Sequence, residues 1–132
     1  MRPNDGRVIP NFIMQALTNN NITVYGTGEQ TCSFQYIDDL VNGMVQMMST
    51  AGDVTGPVNI GNPECFTILE LAKKIINLTK SSSCICFREL PQYDPRQRRP
   101  DIRVVKKCLT GNPKLKEGLI RIICYFNSQK LE

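Results

Sequence analysis

The segment TILELAKKIINLTK, from Thr67 to Lys80, carries the strongest secondary-structure pattern in the sequence. Thr67 followed by Glu70 matches a capping box, in which the two side chains accept hydrogen bonds from backbone N–H groups at a helix start. The apolar residues recur at helical spacing and predict one buried side; they are Ile68, Leu71, Ala72, Ile75 and Ile76. This segment therefore predicts an amphipathic helix that packs on a core.

Strands and helices alternate on both sides of this helix. Helical spacing recurs in GRVIPNFIMQALTN, in DDLVNGMVQMM and near the C-terminus, where Leu115, Leu119, Ile122, Ile123 and Phe126 share one side. In the second of these we expect a buried stripe that includes methionine core fillers, namely Ile37, Leu40, Val41, Met44, Val45 and Met48. Short strands are predicted for ITVY, TCSFQYI, GPVNIGNP and CICFREL, with GTGEQ as a hairpin turn. The pattern predicts an α/β fold whose few short strands form an incomplete sheet.

Composition excludes several classes of protein. The 132-residue chain has a net charge of +4, and only 7% of its residues are aromatic. A dedicated nucleic-acid-binding domain is usually more basic and has aromatic side chains that contact the bases. There is no histidine, so Ser-His and Cys-His pairs are excluded. None of the four tyrosines has a lysine four positions later, and Gly26-Thr27-Gly28 lacks the third glycine of a dinucleotide fingerprint.

The cysteines and the hydropathy pattern bear on location. No pair among the six cysteines has C-x-x-C spacing, and we interpret them as free buried thiols in a reducing compartment. No apolar run approaches the ~18 residues of a membrane span, and the N-terminus lacks the apolar core of a signal peptide. We therefore expect a soluble chain, cytoplasmic as given.

The basic segment YDPRQRRPDI, Tyr93 to Ile102, leaves alternatives open. Arg96, Arg98 and Arg99 lie between two prolines, and arginine's planar fork suits carboxylate or phosphate. On composition alone both a solvated loop and an anion clamp are open, and the solvated loop is favoured because arginines are commonly surface residues. A phosphate-tracking nucleic-acid site is a weaker alternative.

Four stretches in this order resemble one enzyme family. MRPNDGRVIPNFIMQAL, ITVYGTGEQTCSFQYIDDLVNGM, PVNIGNPECFTILELAKKI and DPRQRRPDI together are similar to the C-terminal part of UDP-glucuronate decarboxylase, or UDP-xylose synthase, over essentially all of the chain. That family belongs to the extended short-chain dehydrogenases, which have a Rossmann-type fold. The resemblance implies that residues 1–132 form the sugar-nucleotide-binding part, with the NAD-binding part outside this sequence.

The family's chemistry sets expectations for ligands. In the family, bound NAD oxidises C4 of UDP-glucuronate, the β-keto acid loses CO2, and the same NADH reduces the product to UDP-xylose. The resemblance assigns Arg98 a catalytic and substrate-binding role near the sugar carboxylate. It assigns the UDP pocket to Gln30, Phe34 and Tyr36, and the cofactor side of the cleft to Arg2 and Arg7. It also implies that Asn59 and Asn62 have an architectural role.

The departures from the family pattern shape the functional hypotheses. Cys32 stands where the family has an arginine expected to pair with the UDP diphosphate, and the glycine fingerprint and catalytic Tyr and Lys are not in this sequence. We expect a substrate-binding fragment that is inactive alone, with UDP-glucuronate and UDP-xylose as ligands. The alternative is a truncated paralogue that forms a homodimer or mixed oligomer through an apolar face around Phe12, Ile13 and Leu17. A Golgi-lumenal location would follow from an anchored animal relative.

Overall fold

Alternating helices and strands make up the chain. The computed structural model describes residues 6–52, 54–62, 64–90, 97–98, 101–104 and 115–129. In chain order the elements are α1 (Val8–Leu17), β1 (Ile22–Tyr25), β2 (Thr31–Ser33), α2 (Ile37–Met48), β3 (Cys65–Thr67), α3 (Ile68–Thr79), β4 (Ile85–Arg88), β5 (Gln97–Arg98) and α4 (Leu115–Gln129).

The strands divide between two small sheets. β1 and β4 pair in parallel, with Ile22 opposite Ile85 and Tyr25 opposite Arg88. The second sheet has the order β3-β2-β5, in which β2 is antiparallel to β3 and parallel to β5. The turn at Gly26–Gln30 thus joins strands of different sheets, and its prediction as a hairpin turn was wrong. Local turn chemistry predicted the reversal of the chain but not the strand partners.

Three helices and β1 enclose the core. α1 packs against α3 and α4, and β1 contacts both α1 and α3. Burial of one such aliphatic side chain contributes roughly 1.5–3 kcal/mol. The buried apolar residues come from these four elements and are Ile9, Phe12, Ile13, Ala16, Ile22, Val24, Leu71, Ala72, Ile75, Leu119, Ile123 and Phe126. The predicted apolar sides of α1, α3 and α4 are therefore confirmed.

The start of α3 is fixed by a complete set of hydrogen bonds. The Glu70 N–H donates to Thr67 Oγ1 at 3.1 Å, and the Thr67 N–H donates to Glu70 Oε2 at 2.9 Å, so the predicted capping box is confirmed. The first two N–H groups of α3 donate to the turn between β1 and β2. The Ile68 N–H donates to the Gln30 carbonyl and the Leu69 N–H to the Gly28 carbonyl, both at 3.0 Å. The hydrogen bonds that Glu70 makes with the backbone and side chain of Thr67 lower the pKa of the Glu70 carboxyl below its ordinary value.

The side of α2 predicted to be buried is largely exposed. Its large apolar residues form what we call the α2 apolar face, between 48% and 87% exposed: Ile37, Val41, Met44, Val45 and Met48. Gly43 is the buried residue of this helix, and the described elements that pack extensively on one another do not include α2. The periodicity was correct, but a periodic pattern does not show what covers the apolar side. The prediction of Met44 and Met48 as core fillers was wrong.

Three other expectations need correction. GPVNIGNP is not a strand where the structure describes it, because no described strand pairs with it. The described thiols are not buried: Cys84 and Cys124 are exposed, and Cys32, Cys65 and Cys86 are half-buried. None of these five forms a disulfide, and Cys108 lies outside the described residues. The face around Phe12 and Ile13 is not exposed, because both side chains lie in the core and Leu17 packs against it.

Each helix in the part of the chain that the structure describes is too short or too polar to span a membrane.

Replacing Thr67 with alanine should lower the free energy of unfolding by about 1 kcal/mol, because the Glu70 N–H loses its acceptor. Urea denaturation followed by far-UV circular dichroism measures this change. Thr55→Ala is the control, since Thr55 is exposed and outside every element, and it should change stability by less than about 0.5 kcal/mol. Equal effects of the two substitutions would contradict the role of the capping box.

The capping box should also make stability depend on pH. Because folding lowers the pKa of Glu70, its stabilisation is complete above the ordinary value of 4.5 and is lost as the pH falls through the lower folded-state pKa. Glu70→Gln keeps a hydrogen-bond acceptor without a titrating carboxylate. This variant should lose less stability than the parent chain over that pH range.

Candidate functional site

A groove of about 690 Å³ lies where α1, the parallel β1–β4 pair and β2 meet. One wall is the N-terminal half of α1, and another is the carboxyl end of β1 and β4. The lining residues are Gly6, Arg7, Val8, Ile9, Asn11, Phe12, Gln15, Thr23, Tyr25, Gln30, Cys32, Ser33, Phe34, Ile68 and Arg88. Its volume is in the range of small-molecule sites, which are usually between about 300 and 1,000 Å³.

The charges along the groove favour an anion. Arg7 and Arg88 supply two guanidinium groups, and none of the described residues that line the groove is acidic. Arg7 is also the N-cap of α1, so the positive end of a ten-residue helix opens on the same wall. Both effects attract negative charge, and together they suit phosphate or carboxylate.

Two glutamines make hydrogen bonds to β1, which forms part of the groove wall. Gln15 Nε2 donates to Thr23 Oγ1 at 3.3 Å, and Gln15 Oε1 accepts from the Thr23 N–H at 3.1 Å. Gln30 Nε2 donates to the Tyr25 carbonyl at 2.9 Å, while Gln30 Oε1 is buried without a hydrogen-bond partner among the described residues. The amide of Gln30 therefore retains acceptor capacity beside the groove.

The β2–β5 ladder brings the arginine-rich segment to this site. Cys32 on β2 lines the groove, and its backbone is opposite Arg98 of β5 in a parallel register. The backbone of Arg98 is thus one strand away from the groove wall. Arg96 and Arg99 lie outside the described residues.

A smaller cleft of about 30 Å³ adjoins the groove through Phe34. Tyr36 and Asp39 line it, together with Gly118 of α4. The Arg121 guanidinium lies 5.5 Å from the centre of the Tyr36 ring. A Cβ on Gly118 would be 3.3 Å from Tyr36 Cδ2, so glycine allows this close approach. Burial, followed by the charge of Asp38, raises the pKa of the Asp39 carboxyl, although Arg121 opposes the shift.

Asn62 ties the loop before β3 to the end of β2. It is 4% exposed, and its side chain donates to the Phe34 carbonyl at 3.1 Å and accepts from the Glu64 N–H at 3.0 Å. The Asn62 carbonyl also accepts a hydrogen bond from the Ser33 hydroxyl. Asn59 is exposed and donates to the Asp101 carbonyl at 3.2 Å. Both asparagines therefore make contacts of the architectural kind, and those of Asn62 fix Phe34 at the groove.

The predicted site residues have four different placements. Arg7, Gln30 and Phe34 line the groove, whereas Tyr36 lines the adjoining cleft. Arg98 reaches the site through its backbone pairing, and Arg2 lies outside the described residues. Their roles toward a ligand stay predictions.

Sequence reasoning missed several lining residues, of which Arg88 is the most informative. The available signal was that Tyr25 ends the predicted strand ITVY and Arg88 lies near the end of the predicted strand CICFREL, because ligands bind outside the carboxyl ends of parallel strands. Using that signal required knowing that β1 and β4 are partners.

The chain is similar in sequence to known enzymes. Residues 1–61 match the model of the NAD dependent epimerase/dehydratase family. UDP-glucuronic acid decarboxylase 1 from Danio rerio is 52% identical over 134 residues, which cover 100% of this chain and 31% of the relative. The protein of the same name from Arabidopsis thaliana is 44% identical, over 96% of this chain and 29% of its own length. The chain thus spans about a third of the relatives it matches, and the predicted resemblance is confirmed.

Solved structures show the same fold. UDP-glucuronic acid 4-epimerase from Bacillus cereus, in complex with UDP-glucuronic acid and NAD, has a TM-score of 0.86 at 27% identity, over 98% of this chain and 41% of that one. UDP-N-acetylglucosamine 4-epimerase from Methanobrevibacter ruminantium has a TM-score of 0.88 at 24% identity, over 97% and 42%. The predicted fold class, part of an extended short-chain dehydrogenase fold with an incomplete sheet, is confirmed.

Replacing Asn62 with alanine should lower the free energy of unfolding by about 2 kcal/mol, because the Phe34 carbonyl and the Glu64 N–H lose their partner. Chemical denaturation measures the loss. Asn59→Ala is the matched control: its single exposed hydrogen bond should contribute less than about 0.5 kcal/mol. If both variants unfold like the parent chain, Asn62 does not fix this loop.

Proposed function

We propose that this chain is the sugar-nucleotide-binding part of a UDP-glucuronic acid decarboxylase-like protein. The observation that carries the proposal is the groove, where the described lining contains two arginines, a helix N-terminus and no acidic residue. Its ligand would be UDP-glucuronate, with UDP-xylose as the product form, which agrees with the relatives' names. This assignment extends from the relatives to a chain about a third of their length.

The groove's walls suggest how such a ligand would bind. The diphosphate would lie near the N-terminus of α1, where backbone N–H groups and Arg7 favour negative charge. Gln30 and Phe34 would contact the nucleotide. Arg98 would hold the sugar carboxylate and stabilise charge as CO2 leaves, a role supported here by the position of its backbone beside Cys32. Tyr36 would act from the adjoining cleft.

The glycine-containing turn at Gly26–Gln30 and the start of α3 do not form a dinucleotide cradle. In such a cradle the N–H groups at a helix start bind the pyrophosphate. At the glycine-containing turn the first N–H groups of α3 instead donate to the Gln30 and Gly28 carbonyls and to Thr67 Oγ1. Arg7 and Arg2 stay predicted contacts on the cofactor side. We therefore propose that NAD does not bind tightly to this chain alone and that the chain does not decarboxylate its ligand unaided.

A titration of UDP into the purified chain tests the proposal. The parent chain should bind UDP, and Cys32→Arg should bind it at least about tenfold tighter, because a buried charged partner for an anion is typically worth about 2–5 kcal/mol. Cys84→Arg is the matched control: it adds the same charge at an exposed cysteine outside the groove. It should leave the affinity for UDP unchanged.

Two outcomes would contradict the proposed function. One is that neither the parent chain nor Cys32→Arg binds UDP. The other is that Cys32→Arg and Cys84→Arg have equal effects, which would mean that added charge acts at no particular site. Stoichiometric release of CO2 from UDP-glucuronate by the parent chain with NAD would contradict the proposed inactivity.

A second candidate function rests on the α2 apolar face. Apolar patches of this kind mark surfaces that another protein covers, and the matched relatives are about three times as long as this chain. We propose that the partner is a full-length UDP-glucuronic acid decarboxylase subunit. The two chains would form a mixed oligomer, and not a homodimer of this chain. The observation that favours this function is the exposure of five large apolar side chains on one helix.

Native mass spectrometry with a full-length UDP-glucuronic acid decarboxylase tests this second function. We expect a mixed oligomer at micromolar concentration, and its loss in the double variant Val41→Glu/Met44→Glu, because charge on the α2 apolar face opposes its burial. Asn42→Glu is the control, since Asn42 is an exposed polar residue of the same helix. No mixed oligomer, or equal disruption by the control, would count against docking through this face.

A further inference from the structure

Arg88 is at the carboxyl end of the parallel strand pair. It is the last residue of β4, opposite Tyr25 of β1. The Gly26 N–H donates to the Arg88 carbonyl at 2.8 Å and extends the pairing by one bond. This backbone is therefore fixed by the ladder, while the residue is exposed and lines the groove.

The guanidinium of Arg88 has no counter-ion in the described part of the chain. The ion pairs described there join Arg103 to Asp101 and Arg121 to Asp38. Arg88 shares the groove with Arg7, and no carboxylate is among the described residues that line it. A guanidinium exposed in a concave, positively charged groove attracts an anion that enters it.

The positions of the two arginines indicate the form of the anion. Arg7 comes from the N-terminus of α1, and Arg88 from the carboxyl end of β4, so they belong to separate walls. A single carboxylate satisfies one guanidinium in a bidentate contact. A diphosphate has two phosphoryl groups and can accept hydrogen bonds from both walls at once.

We propose that Arg88 binds the diphosphate of a nucleoside diphosphate in this groove, as the second cationic contact beside Arg7 and the start of α1. This inference rests on the proposed function, because it names the residue that holds the charged part of the proposed ligand. The nucleoside then extends along the wall that contains Gln30 and Phe34. Arg88 itself does not contact the nucleoside.

The test compares UDP with uridine, because only UDP carries the diphosphate. Both are titrated into the parent chain and into Arg88→Ala, Arg88→Lys and Arg103→Ala at one fixed ionic strength. Arg88→Ala should weaken UDP binding by about 10- to 100-fold, the range expected when a hydrogen-bonded charged contact is lost, and leave uridine binding unchanged. Arg88→Lys should recover part of the affinity, since it keeps the charge but not the fork.

Arg103→Ala is the charge-matched control. Arg103 is exposed, pairs with Asp101 at 2.6 Å and does not line the groove, so its loss should not change UDP binding. Thermal melting of each variant confirms that it is folded. The inference is overturned, while the proposed function stands, if Arg88→Ala weakens the binding of UDP and of uridine equally. The same holds if Arg88→Ala binds UDP as tightly as the parent chain does. If the parent chain and Cys32→Arg both bind no UDP, the proposed function itself fails and the inference fails with it.

Discussion

The N-terminus of α3 is the junction on which the rest of the structure depends. Its first N–H groups donate to carbonyls of the turn between β1 and β2, and Thr67, the last residue of β3, caps the same helix. Gly28 makes this possible, because its φ is +76° and a Cβ there would be 3.0 Å from Val24 Cγ1. These few bonds fix one helix against strands of both sheets. They also set the position of Gln30 and Cys32 on the groove wall.

The groove and the α2 apolar face place opposite demands on the same small fold. The positively charged side chains of the groove are hydrated in water and can bind an anion. The apolar side chains of the α2 apolar face are exposed to water, and their burial under another surface would be favourable. The sheets β1-β4 and β3-β2-β5 likewise have open edges within the described residues. Open sheet edges and an exposed apolar face are typical of a substructure that completes its contacts with further polypeptide.

Local features could be predicted from the sequence, and contacts between distant segments could not. Thr67 and Glu70 are three residues apart, so their pattern was enough to predict the start of α3. Arg88 gave no such signal, because its place in the groove depends on pairing with Tyr25, far away in sequence. Val41 and Met44 showed which side of α2 is apolar but not whether anything covers it. Among the predicted site residues, the family resemblance pointed to Gln30 and Phe34, and physical pattern alone did not.

The parallel pairing of β1 with β4 also constrains the order in which the chain can fold. Ile22 and Ile85 can pair only after the ribosome has synthesised the helices and strands that lie between them in the sequence. Distant pairings of this kind form slowly, because loop closure costs entropy before the contact forms. On the ribosome, the apolar residues of α1 and β1 therefore stay unprotected until α3 and β4 have emerged. The nascent chain thus passes through a stage at which chaperones would bind it most readily.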